Sequence, residues 1–350
     1  VLRSRLRPRS APLRVAAALA ATVLVAAGCA AGGGGGASAD DPGSGRGSGS
    51  GGAAGTSADG SGGAGLDSDA GELADLAEQL AQGEDGVVSG TGGQRGPSGK
   101  KSDADARVGS EVVIGSDISW PQCPRGMGIP EKRSQGMPMP LPDAEFVIVG
   151  LTNGPGFTPN PCLADQVDWV LDHRLLVAAY AVASYPDAAT VDAYGDQGPF
   201  PAATKIGRLK NVGYQQARFN VGSMGAAGLQ TPIVWIDVEP VPDFPWSADP
   251  IANAAVVEGL ARGYADAGYE IGVYSTPSLW QGVVGDLSLG VPEWRAAGQT
   301  SAAEALSRCG ADWSIQGGDA VLGQWVEDRR DRNLTCPGVE SDLVTWFHQP

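Results

Sequence analysis

From about residue 112 onward, apolar and polar positions alternate in short runs separated by longer runs of helical period. The short runs predict strands over residues 112–118, 146–150, 175–183, 233–238, 271–275, 291–296, 313–316 and 322–326. The longer ones predict helices over 163–173, 202–220, 252–267, 278–284 and 302–308. Strands that alternate with helices specify an α/β domain. Eight of them over about 240 residues suit a TIM-like (β/α)8 barrel, irregular in its last strands, where the spacing leaves no room for full helices. A doubly wound open sheet is the competing arrangement, but no glycine-rich phosphate loop follows the first strand.

The preceding stretch has a different pattern. Residues 1–28 carry Arg3, Arg5, Arg7, Arg9 and Arg14, then an apolar run from Val15 to Ala27, the layout of a signal peptide. The run Val25-Ala26-Ala27-Gly28-Cys29 resembles a bacterial lipobox, with Ala26 where a larger aliphatic residue is usual, so lipidation at Cys29 and a membrane anchor through acyl chains are expected; the alternative is an ordinary signal cleaved nearby, with Cys29 incidental and the domain secreted into the cell wall. Residues 29–109 are Gly, Ser, Ala and Asp in low-complexity order, a composition that buries little and predicts a disordered linker. A tether of about 80 such residues has a reach of roughly 50 Å. The expected organisation is therefore a lipoprotein signal peptide at 1–28, a linker at 29–109 and a barrel domain at 110–350.

Charge and cysteine narrow the function classes. The chain has 24 basic and 40 acidic residues, a net charge of −16, and the expected leader holds five of the basic ones and none of the acidic ones. So acidic a body repels nucleic acid, and no nucleic-acid partner is expected. Of the five cysteines, Cys123, Cys162, Cys309 and Cys336 remain after Cys29, an even set that in an oxidising compartment suggests two disulfides. Three connectivities are possible; the sequential one, Cys123 with Cys162 and Cys309 with Cys336, closes the shortest loops. No CxxC spacing occurs and there are two histidines, so neither a metal nor any other cofactor is expected. The domain is expected to be a monomer.

The chemistry concentrates in Pro232-Ile233-Val234-Trp235-Ile236-Asp237-Val238-Glu239-Pro240. On a strand, Trp235, Asp237 and Glu239 share one face, and Val234, Ile236 and Val238 share the other. The apolar set suits the helix layer, which turns the carboxylates toward the barrel axis. Pro240 ends the strand and leaves Glu239 at the C-terminal rim, where barrel enzymes keep their active sites. Two inward carboxylates raise each other's pKa, so that one can hold a proton near neutral pH. Asp117 closes the first strand at the same rim. Glu327 and Asp328 read as a solvated loop. Tryptophans near strand ends, Trp120, Trp235, Trp280, Trp294 and Trp325, are core residues or flat platforms for sugar faces.

Taken in order, Gly115-Ser116-Asp117-Ile118-Ser119-Trp120, the strand ending in Glu239, Gly272-Val273-Tyr274-Ser275-Thr276, Pro292-Glu293-Trp294-Arg295-Ala296, Gly323-Gln324-Trp325 and Gly338-Val339-Glu340-Ser341-Asp342-Leu343 resemble glycoside hydrolase family 25, the lysozyme-type muramidases. The resemblance spans Asp117 to Asp342. It implies a hydrolase of cell-wall glycan, acting outside the membrane on peptidoglycan or a related polysaccharide. Glu239 would be the proton donor, with Asp237, Asp117 and Asp342 orienting the substrate and stabilising charge. Trp120, Trp235, Tyr274, Trp294 and Trp325 would line the glycan. The chain departs from the family pattern at Gly150-Leu151-Thr152-Asn153-Gly154, at Tyr180-Ala181-Val182, at Trp120-Pro121-Gln122-Cys123 and in an insertion over 184–229. The alternative is a non-catalytic glycan-binding lipoprotein that keeps the cleft without turnover.

Overall fold

The computed structural model describes residues 112–350. The expected leader, Cys29 and the linker lie outside the described residues. Eight strands close into a barrel in sequence order: β1 (Ile114–Ile118), β2 (Phe146–Gly150), β3 (Leu176–Val182), β4 (Ile233–Asp237), β5 (Glu270–Ser275), β6 (Glu293–Gln299), β7 (Ala320–Glu327) and β8 (Arg330–Thr335). The first seven run parallel, and β8 runs antiparallel to both β7 and β1. Helices α1 (Leu163–Asp172), α2 (Ala188–Tyr194), α3 (Lys205–Ala227), α4 (Pro250–Asp266), α5 (Pro277–Val284) and α6 (Ala302–Ser307) follow β2 to β6, and α7 (Leu343–Trp346) follows β8.

Side-chain alternation builds two cores. Val147, Val149, Ala179, Ala181, Val234, Ile236, Val238 and Val273 face outward into the layer shared with the helices. Phe146, Ile148, Ala178, Ile233, Trp235, Trp294 and Leu322 fill the barrel interior. The interior is crowded: a Cβ at Gly272 would collide with the Trp235 indole, so β5 passes that ring only because it has no side chain there. The helix starts are capped as their sequences suggest. Thr204 Oγ1 accepts from Gly207 N–H at 3.0 Å, and Asp249 Oδ1 accepts from Ile251 N–H at 3.1 Å ahead of Pro250.

Two expectations are corrected. Residues 313–316 form no strand: a 3-10 turn at Ala311–Trp313 leads into a loop whose N–H groups turn onto the buried carboxylate of Glu293. The eighth strand is instead Arg330–Thr335, joined to β7 by Asp328 and Arg329, both at positive φ (51° and 59°), as a two-residue hairpin requires. Helix α2, within the expected insertion, is also additional to the sequence reading. The cysteines pair sequentially, Cys123–Cys162 and Cys309–Cys336, each with Cα atoms under 6 Å apart (5.7 and 5.6 Å). The first ties the turn after β1 to the start of α1; the second ties the segment after α6 to the end of β8.

Candidate active site

The C-terminal ends of parallel strands β1 and β4 and the start of antiparallel β8 bring four carboxylates to one mouth. On β4, Trp235 and Asp237 point into the barrel while Val234, Ile236 and Val238 enter the outer core, as the alternation predicts. Glu239 follows two residues beyond Asp237 and is half-buried at the rim. The loop that leaves it folds back, so that Trp246 Nε1 donates to the Glu239 carbonyl at 2.9 Å. Asp117, on β1, is 6% exposed. The fourth is Asp331, at the start of β8. Because β8 runs the other way, its first residues reach the rim where the other strands end, and the register that pairs Gly115 with Asn333 and Ser116 with Arg332 brings Asp331 alongside Asp117.

Asp117 is held by two relays. Gln324 Nε2 and Asn333 Nδ2 donate to its Oδ1 at 3.0 and 2.7 Å. The Tyr274 hydroxyl donates to Gln324 Oε1 at 2.7 Å, and Trp294 Nε1 donates to Asn333 Oδ1 at 2.8 Å. Each partner thus fixes an amide so that its NH2 faces the carboxylate. Asp237 has no such support: its Oδ1 is buried without a hydrogen-bond partner in the protein.

Burial sets the protonation of the cluster. It pushes Asp117 up to about 6 against the downward pull of its two amide donors. It pushes Glu239 up to about 7, helped by the charge of Asp117 and opposed by Lys132. Asp237 is raised well above the usual carboxylate range, first by burial and then by the charges of Glu239 and Asp117. Asp331 is raised likewise, by burial and then by Asp117 and Glu239. The sequence assigned the push on Glu239 to its neighbour Asp237; burial and Asp117 supply it. Tyr180 and Tyr274 face the same charges and keep their hydroxyl protons, burial being the main cause. A group near 7 can both hold and release a proton at neutral pH, which is what general acid catalysis requires.

The remaining sequence-predicted residues separate. Asp342 does not join the cluster. It follows β8, whose reversed direction delivers it to the opposite end of the barrel, where it is exposed and accepts from Thr345 Oγ1 at 2.7 Å. Trp235 and Trp294 lie inside the barrel, 0% and 1% exposed, beneath the site and in edge contact with each other. Trp325 faces outward between α6 and Leu334, and is 1% exposed. These three are packing residues and offer no sugar platform. Trp120, half-buried in the 3-10 turn after β1, and Tyr274, at the end of β5, do reach the rim. Trp280 is buried in the outer core. Glu327 and Asp328 are exposed, as expected of a turn. Asp331 and Tyr180 were missed; the period-two pattern Asp331, Asn333, Thr335 was the available signal. Among the described residues, no group of three or more His, Cys, Asp or Glu side chains could hold a metal ion.

No family model matches the chain. A segment of 66 residues is 39% identical to a "probable GH family 25 lysozyme" of Dictyostelium discoideum, covering 18% of this chain and 30% of that protein. The matched segment therefore spans under a third of the curated relative. Among solved structures, a muramidase from Acremonium alcalophilum is 16% identical over 67% of this chain and 99% of its own, with a TM-score of 0.42. A lysozyme from Streptomyces coelicolor is 14% identical over 67% and 96%, with a TM-score of 0.42. The autolysin LytC of Streptococcus pneumoniae, solved with a synthetic peptidoglycan ligand, is 11% identical over 64% of this chain and 46% of its own, with a TM-score of 0.38. The resemblance to glycoside hydrolase family 25 read from the motifs is thus repeated by a short, well-matched segment of a protein named for that family.

Proposed function

We propose that the chain is a cell-envelope glycan hydrolase that cleaves glycosidic bonds of peptidoglycan or a related polysaccharide, with Glu239 as the proton donor. The observation that carries this reading is the convergence of Asp117, Asp237, Glu239 and Asp331 on the mouth of a closed barrel, where burial keeps Glu239 protonated up to about pH 7. Hydrolysis would begin with transfer of the Glu239 proton to the leaving glycosidic oxygen as its bond to the anomeric carbon breaks. The positive charge that develops on the sugar would be stabilised by Asp117 once ionised, and water would add to that carbon while giving a proton to the Glu239 carboxylate, which restores the acid. Tyr274 and Trp120 are placed to contact the glycan at the rim.

The same reading places the domain outside the cytoplasmic membrane, anchored through a lipid on Cys29. The two disulfides support it, because such bonds persist in oxidising compartments. Incubating the full chain with purified peptidoglycan, reducing the products with borohydride and identifying the new termini by mass spectrometry tests the activity. New reduced sugar termini are expected. Folded protein that binds the glycan but produces none would make this a binding module instead.

A further inference from the structure

Lys132 is the unexpected charge in this site. It comes from the β1–β2 connection and is 5% exposed. The segment that delivers it is built with care. Asn153, just after β2, accepts from Ile129 N–H on Oδ1 at 2.9 Å and donates from Nδ2 to the Lys132 carbonyl at 3.2 Å. Gly128 turns there at a φ of 102°, and a Cβ on it would strike both the Lys132 carbonyl and Asn153. The pairs Gly126 N–H to Ser134 O and Ser134 N–H to Met127 O, each 2.8 Å, close the loop, and the Cys123–Cys162 disulfide fixes its base.

The ammonium group reaches Asp243 Oδ2 at 2.8 Å. Asp243 lies four residues beyond Glu239, on the loop that Trp246 ties back to the Glu239 carbonyl. An ion pair thus joins the β1–β2 loop to the segment that leaves the proton donor. Beside it, Ile129 and Phe244 both lie against Gly154, so each of the two loops also borders the segment after β2. A clasp made for strength alone could be apolar throughout, because a buried ion pair is weak evidence for stability. The cation at the end of this clasp also acts on Glu239, favouring its ionised form.

We propose that Lys132 is a positioning residue for Glu239: paired with Asp243, it clasps the loop that follows the acid, and its ammonium charge sets how readily Glu239 gives up its proton. The proposal rests on the reading of Glu239 as the donor only for its catalytic meaning. The charged and titratable groups acting around Glu239 are Asp117 on β1, Asp237 on its own strand, Tyr274 on β5 and Asp331 on β8, with Tyr180 on β3 facing Asp117 and Asp237. All of these are acids. Lys132 opposes them, and Asp243 behind it tempers its charge.

The two members of the pair therefore act on Glu239 in opposite directions. Lys132→Met should raise the pH at which Glu239 loses its proton by about half a pH unit or more, since a stabilising cation is gone. Asp243→Asn should lower it, because the cation remains and an anion is removed. Lys132→Arg should restore the wild-type value. The readout is the side-chain carboxyl resonance of Glu239 in the full chain labelled with 13C-glutamate, assigned by its disappearance in Glu239→Gln and followed through a pH titration. In active protein the basic limb of the kcat profile should move with it. An unmoved Glu239 midpoint in folded Lys132→Met, or shifts of the same sign in both variants, overturns the proposal. Should Lys132→Met fail to fold, Asp243→Asn at its more exposed position decides alone: a midpoint that stays or rises contradicts the assignment. Opposite shifts in a chain that cleaves no glycan would leave the Lys132 assignment standing and remove the hydrolase reading.

Discussion

Two buried carboxylate sites in this barrel are built in opposite ways. Glu293, on β6 and 0% exposed, points outward beneath the loop after α6. It accepts from the backbone N–H groups of Ile315, Gln316 and Gly318, each at 2.8 Å, and pairs with Arg295 at 2.7 Å. Arg295 in turn donates to the carbonyls of Arg308, Gly310 and Gly318. At the mouth of the barrel, Asp237 is nearly as buried, 4% exposed, yet one of its oxygens has no partner in the protein and its nearest charges are of its own sign. A carboxylate that the fold satisfies holds a loop; a carboxylate that the fold leaves wanting is poised for something else. Burial alone does not separate structure from function, but the partners do.

This contrast can be tested first where the effect on stability is largest. Glu293→Gln leaves Arg295 uncompensated and turns an amide toward N–H donors that expect an oxygen. It should cost about 3–5 kcal/mol, read from the midpoint and slope of urea denaturation. A loss near zero would show that the satisfied site is not what holds the 308–318 loop.

The opposite sign is expected at the mouth. Asp117, Asp237, Glu239 and Asp331 all keep protons in the folded state that the unfolded chain releases near pH 4. The folded state therefore binds more protons between about pH 4 and pH 7, and the stability these groups contribute is full below that range. It falls as pH rises through about 6 for Asp117 and about 7 for Glu239. Asp237→Asn removes one buried charge from this balance. It should stabilise the protein by about 0.5–2 kcal/mol at pH 8 and change little at pH 4, as thermal denaturation at the two pH values would show. Destabilisation at pH 8 would mean that ionised Asp237 is supported after all.

How much of this was legible in the sequence follows from the same chemistry. Strand β4 was readable because Val234, Ile236 and Val238 mark the outer face and leave Asp237 and Glu239 no direction but inward. Strand β8 was not, because its inward residues are Asp331, Asn333 and Thr335, its outward ones include Arg330 and Arg332, and the Asp328-Arg329 turn has no glycine. With β8 hidden, Asp331 was hidden too, and Asp342 stood in its place from the far end of the barrel. Tryptophan misled for a different reason: its size predicts burial, and Trp235, Trp294 and Trp325 are buried, but the spacing that turns Trp235 inward does not say that its ring lies beneath the mouth and closed to solvent. Lys132 left no periodic signal at all, since an irregular loop carries it and Asn153 and Gly128 place it.

Whether Glu239 delivers a proton is read from the rate of reducing-end release from purified peptidoglycan by the full chain and by Glu239→Gln, compared at pH 6 with matched thermal stability. The wild type should release reducing ends measurably and the variant about 10²–10⁴-fold more slowly, with glycan binding retained. A Glu239→Gln variant as active as the wild type would contradict it.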